Sequence, residues 1–178
     1  MRAKVIERYG GPEVFEERDL SRPEVRAGHI VIRVEATSVN PVDCKIRSGS
    51  VPTGPEFPAV LHGDVAGVIE EVGDGVSDFS AGDEVYACAG GVAGHGGALA
   101  EYMLADADLV AHKPELLGFR EAAALPLVSI TAWEALVDRA GVRPGQRVLV
   151  HGAAGGVGHI GVADRPRRRS GDFRHRLL

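Results

Sequence analysis

Gln146-Arg147-Val148-Leu149-Val150-His151-Gly152-Ala153-Ala154-Gly155-Gly156-Val157-Gly158 is the stretch that decides what fold this chain is heading into. Its front half ends in an apolar run, Val148-Leu149-Val150, of the type buried on both faces in a parallel sheet. Small residues follow at once. A strand running into a glycine loop is how a nucleotide-binding α/β domain opens. A dinucleotide pyrophosphate must meet backbone N–H groups at short range. Small side chains let the backbone approach, and the next helix N-terminus adds a favourable dipole. Counted from the strand end, Ala153-x-Gly155-x-x-Gly158 puts its small residues where that fingerprint needs them. Gly156-x-Gly158-x-x-Gly161 has the literal spacing but begins further from the strand, so the first register is preferred. The candidate cofactor-binding residues are therefore Ala153, Gly155, Gly156, Val157 and Gly158. No Lys-Ser/Thr pair follows, which excludes a phosphate loop of the ATPase type. A tight structural turn is the plainer reading of the same residues. The charged residue that would read the ribose about 20 positions on falls at or past the end of the sequence.

Upstream, Phe119 to Leu125 reads as a helix that Pro126 ends or kinks. Leu127 to Arg139 reads as a second, stopped by Gly141. Before about Pro114 the pattern is different. Short β-branched runs (Ala3 to Glu7, Ile30 to Glu35, Val65 to Val72, Glu84 to Cys88, Ala100 to Leu104) are bounded by Gly, Pro, Asp or Ser and predict strands. His29 to Glu35 alternates, as a strand with one wet face does. Many short strands at this spacing predict a partly open barrel. The fold class expected is thus a mainly β barrel followed by an incomplete α/β start.

The 178 residues are 44% hydrophobic and 25% charged, the balance of a folded chain. No apolar stretch is long enough for a membrane helix, and Met1 to Gly10 lacks the core of a secretory signal. Cys44 and Cys88 are too few for a disulfide scaffold or the usual zinc cluster, so a reduced, cytoplasmic setting is the default. The net charge of −5 argues against nucleic acid as a partner. That total hides a break. Residues 163–178 carry six arginines against two aspartates, a local +4 that leaves −9 on the rest. This tail has no helical or strand period and reads as a solvated basic segment.

Several segments occur together in one order: Ala36-Thr37-Ser38-Val39-Asn40-Pro41-Val42-Asp43 with Arg47-Ser48-Gly49, Pro58 to Val72, Phe79 to Val85, Gly97 to Tyr102, and Glu121 to Gly158. They resemble the medium-chain dehydrogenase/reductase superfamily in its zinc-free quinone oxidoreductase branch, the group that includes ζ-crystallin. The resemblance implies a GroES-like domain over 1–114, the first helices, strand and glycine loop of a Rossmann domain over 115–162, and the Arg-rich tail over 163–178. The match stops at Val162, inside the first Rossmann helix, so a coding sequence that is truncated or shifts frame there is expected.

The same resemblance bears on metal. The sister zinc branch uses a Cys, a His and a Cys or Glu. Here Asn40 stands at the first cysteine, Gly63 at the histidine with His62 displaced by one, and Leu127 near the later cysteine. An amide and an alkyl group cannot replace thiolates on zinc, so no metal site is expected. Without a Lewis acid, alcohol and aldehyde interconversion is disfavoured, whereas hydride transfer to an already electrophilic quinone or activated enone is easier. The resemblance puts Asn40 and Asp43 beside the nicotinamide as the catalytic candidates, with Asn40 donating to the acceptor carbonyl. It sets Thr131 against the nicotinamide carboxamide or ribose. The plainer readings are a turn at Asn40-Pro41, an Asp43 that only holds a loop, and a helical Thr131 bonding back to a carbonyl. NADPH is the implied cofactor, with NADH left open. A small quinone or enone is the implied substrate, and a homodimer stays open. A non-catalytic GroES-like fragment is the alternative function, with a zinc alcohol dehydrogenase a distant third.

Overall fold

The computed structural model describes residues 1–51, 54–143 and 145–163, so the Arg-rich tail from Asp164 lies outside the described residues. Two compact units divide at Pro126/Leu127. The first is built on β1 (Arg2–Ile6), β2 (Phe15–Asp19), β3 (His29–Thr37), α1 (Pro41–Arg47), β4 (Ala59–Val60), β5 (Asp64–Val72), β6 (Glu84–Cys88), β7 (Tyr102–Asp106), β8 (Val110–His112) and α2 (Phe119–Ala123). Their strands form a three-stranded sheet, β2-β1-β4, and a five-stranded sheet, β7-β3-β5-β6-β8, with every pairing antiparallel. Residues 97–101 knit the two. The Lys4 N–H donates to the Leu99 carbonyl at 2.7 Å, and the Val34 N–H donates to the Glu101 carbonyl at 2.9 Å. This is the expected open, mainly β arrangement.

The core lies against the larger sheet, where Ile30, Ile32, Val65, Ile69, Val85 and Met103 pack together. One expectation fails here. Ile30, Val31 and Ile32 are all 0% exposed, so β3 has no wet face over this stretch. The strand sits between β7 and β5 in the middle of its sheet, and a central strand covered on both sides reads as a continuous apolar run. Helix α2 packs Ala122 and Ala123 on Ala66 of β5, so it belongs to the compact unit ending at Pro126.

The second unit begins with α3 (Pro126–Trp133), a π-helical turn over Glu134–Arg139, and, after the glycine loop, α4 (Gly156–Ala163). Pro126 opens α3, at a position whose N–H would have had no helical partner anyway. The strand predicted at Gln146 to Val150 does not form: these residues belong to no sheet, and Leu149 is 72% exposed. A parallel strand is stabilised by ladder bonds to neighbours on either side, and none of the described residues provides one.

Candidate active site

Helix α1 starts at Pro41 because Asn40 takes the N-cap position in extended conformation and Pro41 pre-sets the first helical φ. The Asp43 carboxylate turns back to accept from the Asn40 backbone N–H at 2.7 Å. This fixes both sequence-predicted catalytic residues in one turn, and both are buried. The Asn40 side chain is also engaged. Its Nδ2 donates to Asp64 Oδ2 at 2.8 Å and to Ser38 Oγ at 3.2 Å, while Ser38 Oγ donates to the same Asp64 oxygen at 2.7 Å. The Asn40 amide hydrogens are therefore committed to the protein. Asn40 thereby links the α1 cap to the start of β5.

Three residues of this cluster were not among the sequence-derived site residues: Ser38, His62 and Asp64. The signal that could have found them is the polar pair His62 and Asp64 inside the apolar run Pro58 to Val72, where buried polar groups must find partners. Burial pushes the Asp43 carboxyl up, the nearby Asp64 adds to this, and N–H donation from Asn40 and Gly63 together with His62 opposes it. Burial likewise pushes His62 down from the ordinary histidine value, against the pull of Asp43 and Asp64. The Cys88 thiol, half-buried and hydrogen-bonded to Asp64, is pushed up to about 12 by loss of solvent and by that carboxylate. Cys44, by contrast, is exposed. A cavity of about 390 Å³ opens beside this cluster, with Asp43, Cys44 and His62 on its wall among the apolar Phe15, Val39 and Leu99. Among the described residues no cluster of three or more His, Cys, Asp or Glu is arranged to hold a metal ion.

In the second unit, the glycine loop closes by a 2.9 Å bond from the Gly155 N–H to the Gly152 carbonyl, and α4 begins at Gly156. A cavity of about 300 Å³ lies against it, walled by Gly152, Gly155, Gly156, Val157 and Gly158 with Leu136 and Val150. The two glycine registers now separate. A Cβ at Gly158 would overlap the Gly152 carbonyl oxygen and stand 2.8 Å from Ala153 Cα, whereas at Gly161 it would meet only Leu136 Cδ1 at 3.4 Å. Close packing at the helix start is what the last glycine of such a fingerprint serves, and of these two glycines Gly158 is the one packed too closely for a Cβ. Thr131, exposed on α3, donates its hydroxyl to the Leu127 carbonyl one turn back at 2.7 Å.

The model for the alcohol dehydrogenase GroES-like domain matches residues 26–115, half of the chain and all of the five-stranded sheet. The chain belongs to that family, within the medium-chain dehydrogenases/reductases. Quinone oxidoreductase from Mus musculus is 45% identical over 159 residues, covering 89% of this chain and 47% of that protein. The human quinone oxidoreductase is 43% identical over the same shares. Among solved structures, an alcohol dehydrogenase superfamily protein from Novosphingobium aromaticivorans superposes with a TM-score of 0.87 at 46% identity, over 91% of this chain and 49% of that one. Escherichia coli quinone oxidoreductase complexed with NADPH superposes with a TM-score of 0.80 at 31% identity, over 90% and 48%. This GroES-like chain thus spans about half the length of the relatives it matches.

Proposed function

We propose that this chain carries the acceptor side and the first part of the nucleotide site of an oxidoreductase that uses NADPH to reduce a quinone or activated enone without a metal. The observation that carries the reading is Gly158. Its packing against Gly152 and Ala153 supports the fingerprint register in which the backbone of Ala153 to Gly158, at the start of α4, would hold a pyrophosphate. Relatives named for quinone reduction, together with an NADPH-dependent alkenal/one oxidoreductase from Arabidopsis thaliana, support the acceptor class. The E. coli relative complexed with NADPH supports the cofactor, and NADH remains open.

A bound nicotinamide would supply the hydride, and water the proton that completes the reduction. The residues of the chain align the reactants and exclude water. The Ser38–Asn40–Asp64 network ties α1 to β5, so the Asp43 wall of the cavity is held rather than mobile. In this reading Asn40 is a positioning residue, Asp43 faces the reacting pair, and Thr131 lies toward the nicotinamide. The donor set disfavours zinc for a chemical reason: an amide at Asn40 and an alkyl group at Leu127 are poor ligands. The reaction is placed in the cytoplasm, in keeping with two cysteines outside any disulfide.

NADPH fluorescence titration of the 178-residue chain, followed by addition of a quinone, tests the reading. Saturable binding with turnover supports it. A flat response favours the second reading, a non-catalytic GroES-like unit, for which the exposed Leu149 outside any sheet is the specific observation.

A further inference from the structure

His62 occupies its position at a double cost. Its backbone adopts φ 73°, in the left-handed region that non-glycine residues rarely enter. Its ring nitrogen Nδ1 is sealed from solvent and has no hydrogen-bond partner, although the residue is only 7% exposed. Buried polar atoms are almost always satisfied, and unfavourable backbone conformations persist where the surroundings over-determine them, often beside ligand sites. His62 also stands on the wall of the 390 Å³ cavity with Asp43, Phe15, Val39 and Leu99; Lys4 and Arg47 share the lining, but Lys4 is paired with Glu17 and Arg47 donates to the Gly10 carbonyl. The backbone at His62 is pinned, since its carbonyl accepts from the Ala98 N–H at 2.8 Å. The freedom left to the residue is the orientation of its ring, and the residue borders the cavity.

We propose that this cavity binds an apolar cyclic ketone and that His62 is its polar anchor, the imidazole turning to give the ligand carbonyl the hydrogen bond that the protein leaves unmade. The volume is within the range of small-molecule sites, in which a mostly apolar lining carries a few placed polar groups. The inference rests on the hydride-transfer reading for the class of its ligand, and on the geometry of the first unit for its place. It makes His62 a specificity-determining residue: it favours carbonyl compounds over hydrocarbons of the same shape.

The test uses α-tetralone, a ketone that does not alkylate the exposed Cys44, and tetralin, its carbonyl-free counterpart, with the full 178-residue chain and no cofactor. Long-range proton–nitrogen NMR is expected to show the His62 ring nitrogens shifting saturably with α-tetralone and not with tetralin. His62→Gly, which relieves the backbone, is expected to weaken α-tetralone binding about tenfold, the size of one hydrogen bond to a buried polar group. Its melting temperature should be equal or higher, an outcome that a merely structural histidine does not give. His62→Asn, which also tolerates positive φ and retains a donor, is expected to restore part of the affinity. Equal affinity for the two probes, unmoved His62 nitrogens, or full α-tetralone affinity in His62→Gly would each overturn the proposal. Absent NADPH turnover alongside His62-dependent tetralone binding would remove the hydride-transfer reading and leave the anchor standing.

Discussion

Asn40 and His62 are single residues with opposite bonding. Asn40 has its amide hydrogens engaged, on Asp64 and Ser38, and Asn40→Ala strips a donor from a carboxylate that is 1% exposed. Leaving such a group short of a partner is expected to cost about 1–3 kcal/mol in urea unfolding; a loss under about 0.5 kcal/mol, within the range of ordinary surface changes, would mean that Asp64 does not depend on Asn40. His62 sets a pH dependence. Because burial holds it below the ordinary 6.5, the folded chain resists a proton that the unfolded chain accepts. Its contribution is therefore intact above pH 6.5 and declines as pH falls from there toward the folded value. Asp43 works the other way: its carboxyl is raised above 3.8, so its unfavourable ionisation is relieved as pH falls through the raised value. The melting temperature of the wild type, measured against His62→Gly, is expected to drop between pH 7 and pH 5. A constant difference would show that His62 does not titrate differently on folding.

At the level of elements, the glycine loop and α4 give a paired comparison. Gly158→Ala drives a Cβ into the Gly152 carbonyl, a backbone atom that cannot move aside cheaply. Overpacking of this kind costs about 1–3 kcal/mol, and loss of NADPH fluorescence enhancement is expected with it. Gly161→Ala meets only the end of Leu136 and gains up to about 1 kcal/mol of helix propensity, so binding should persist. Equal behaviour of the two variants would mean that the other glycine register is in use. Most elements were legible locally. The runs at Ala3, Ile30, Val65, Glu84 and Ala100 became β1, β3, β5, β6 and β7 within two residues at each end. Missed were β2, whose Phe15-Glu16-Glu17-Arg18-Asp19 is too polar to read as a strand, the short β4 and β8, and α1, hidden behind the turn signal Asn40-Pro41. β2 exists because β1 offers it a full edge of partners, and α1 because the buried Asp43 closes its first turn. Neither partner can be seen within a local window.

For the whole molecule, the two units differ in how much they bury. The first has a core of fully buried aliphatic side chains, while the second exposes Ile130, Trp133, Val137 and Leu149. Limited proteolysis is expected to cut first beyond Pro126, with residues 145–151 the preferred stretch because their backbone lies in no sheet. Early cleavage between Val65 and Leu104 would contradict this difference. The sequence by itself determined the turn-bounded strands, the glycine loop and the order of family motifs, because these depend on φ preferences and on residues close along the chain. Only the tertiary structure decided that Val148 to Val150 join no sheet among the described residues, that β3 is covered on both faces over Ile30 to Ile32, and that Ser38, Asn40, His62 and Asp64 meet beside one cavity. Those outcomes depend on burial and on contacts between residues far apart in the chain, and no local pattern of residues encodes which distant group will arrive.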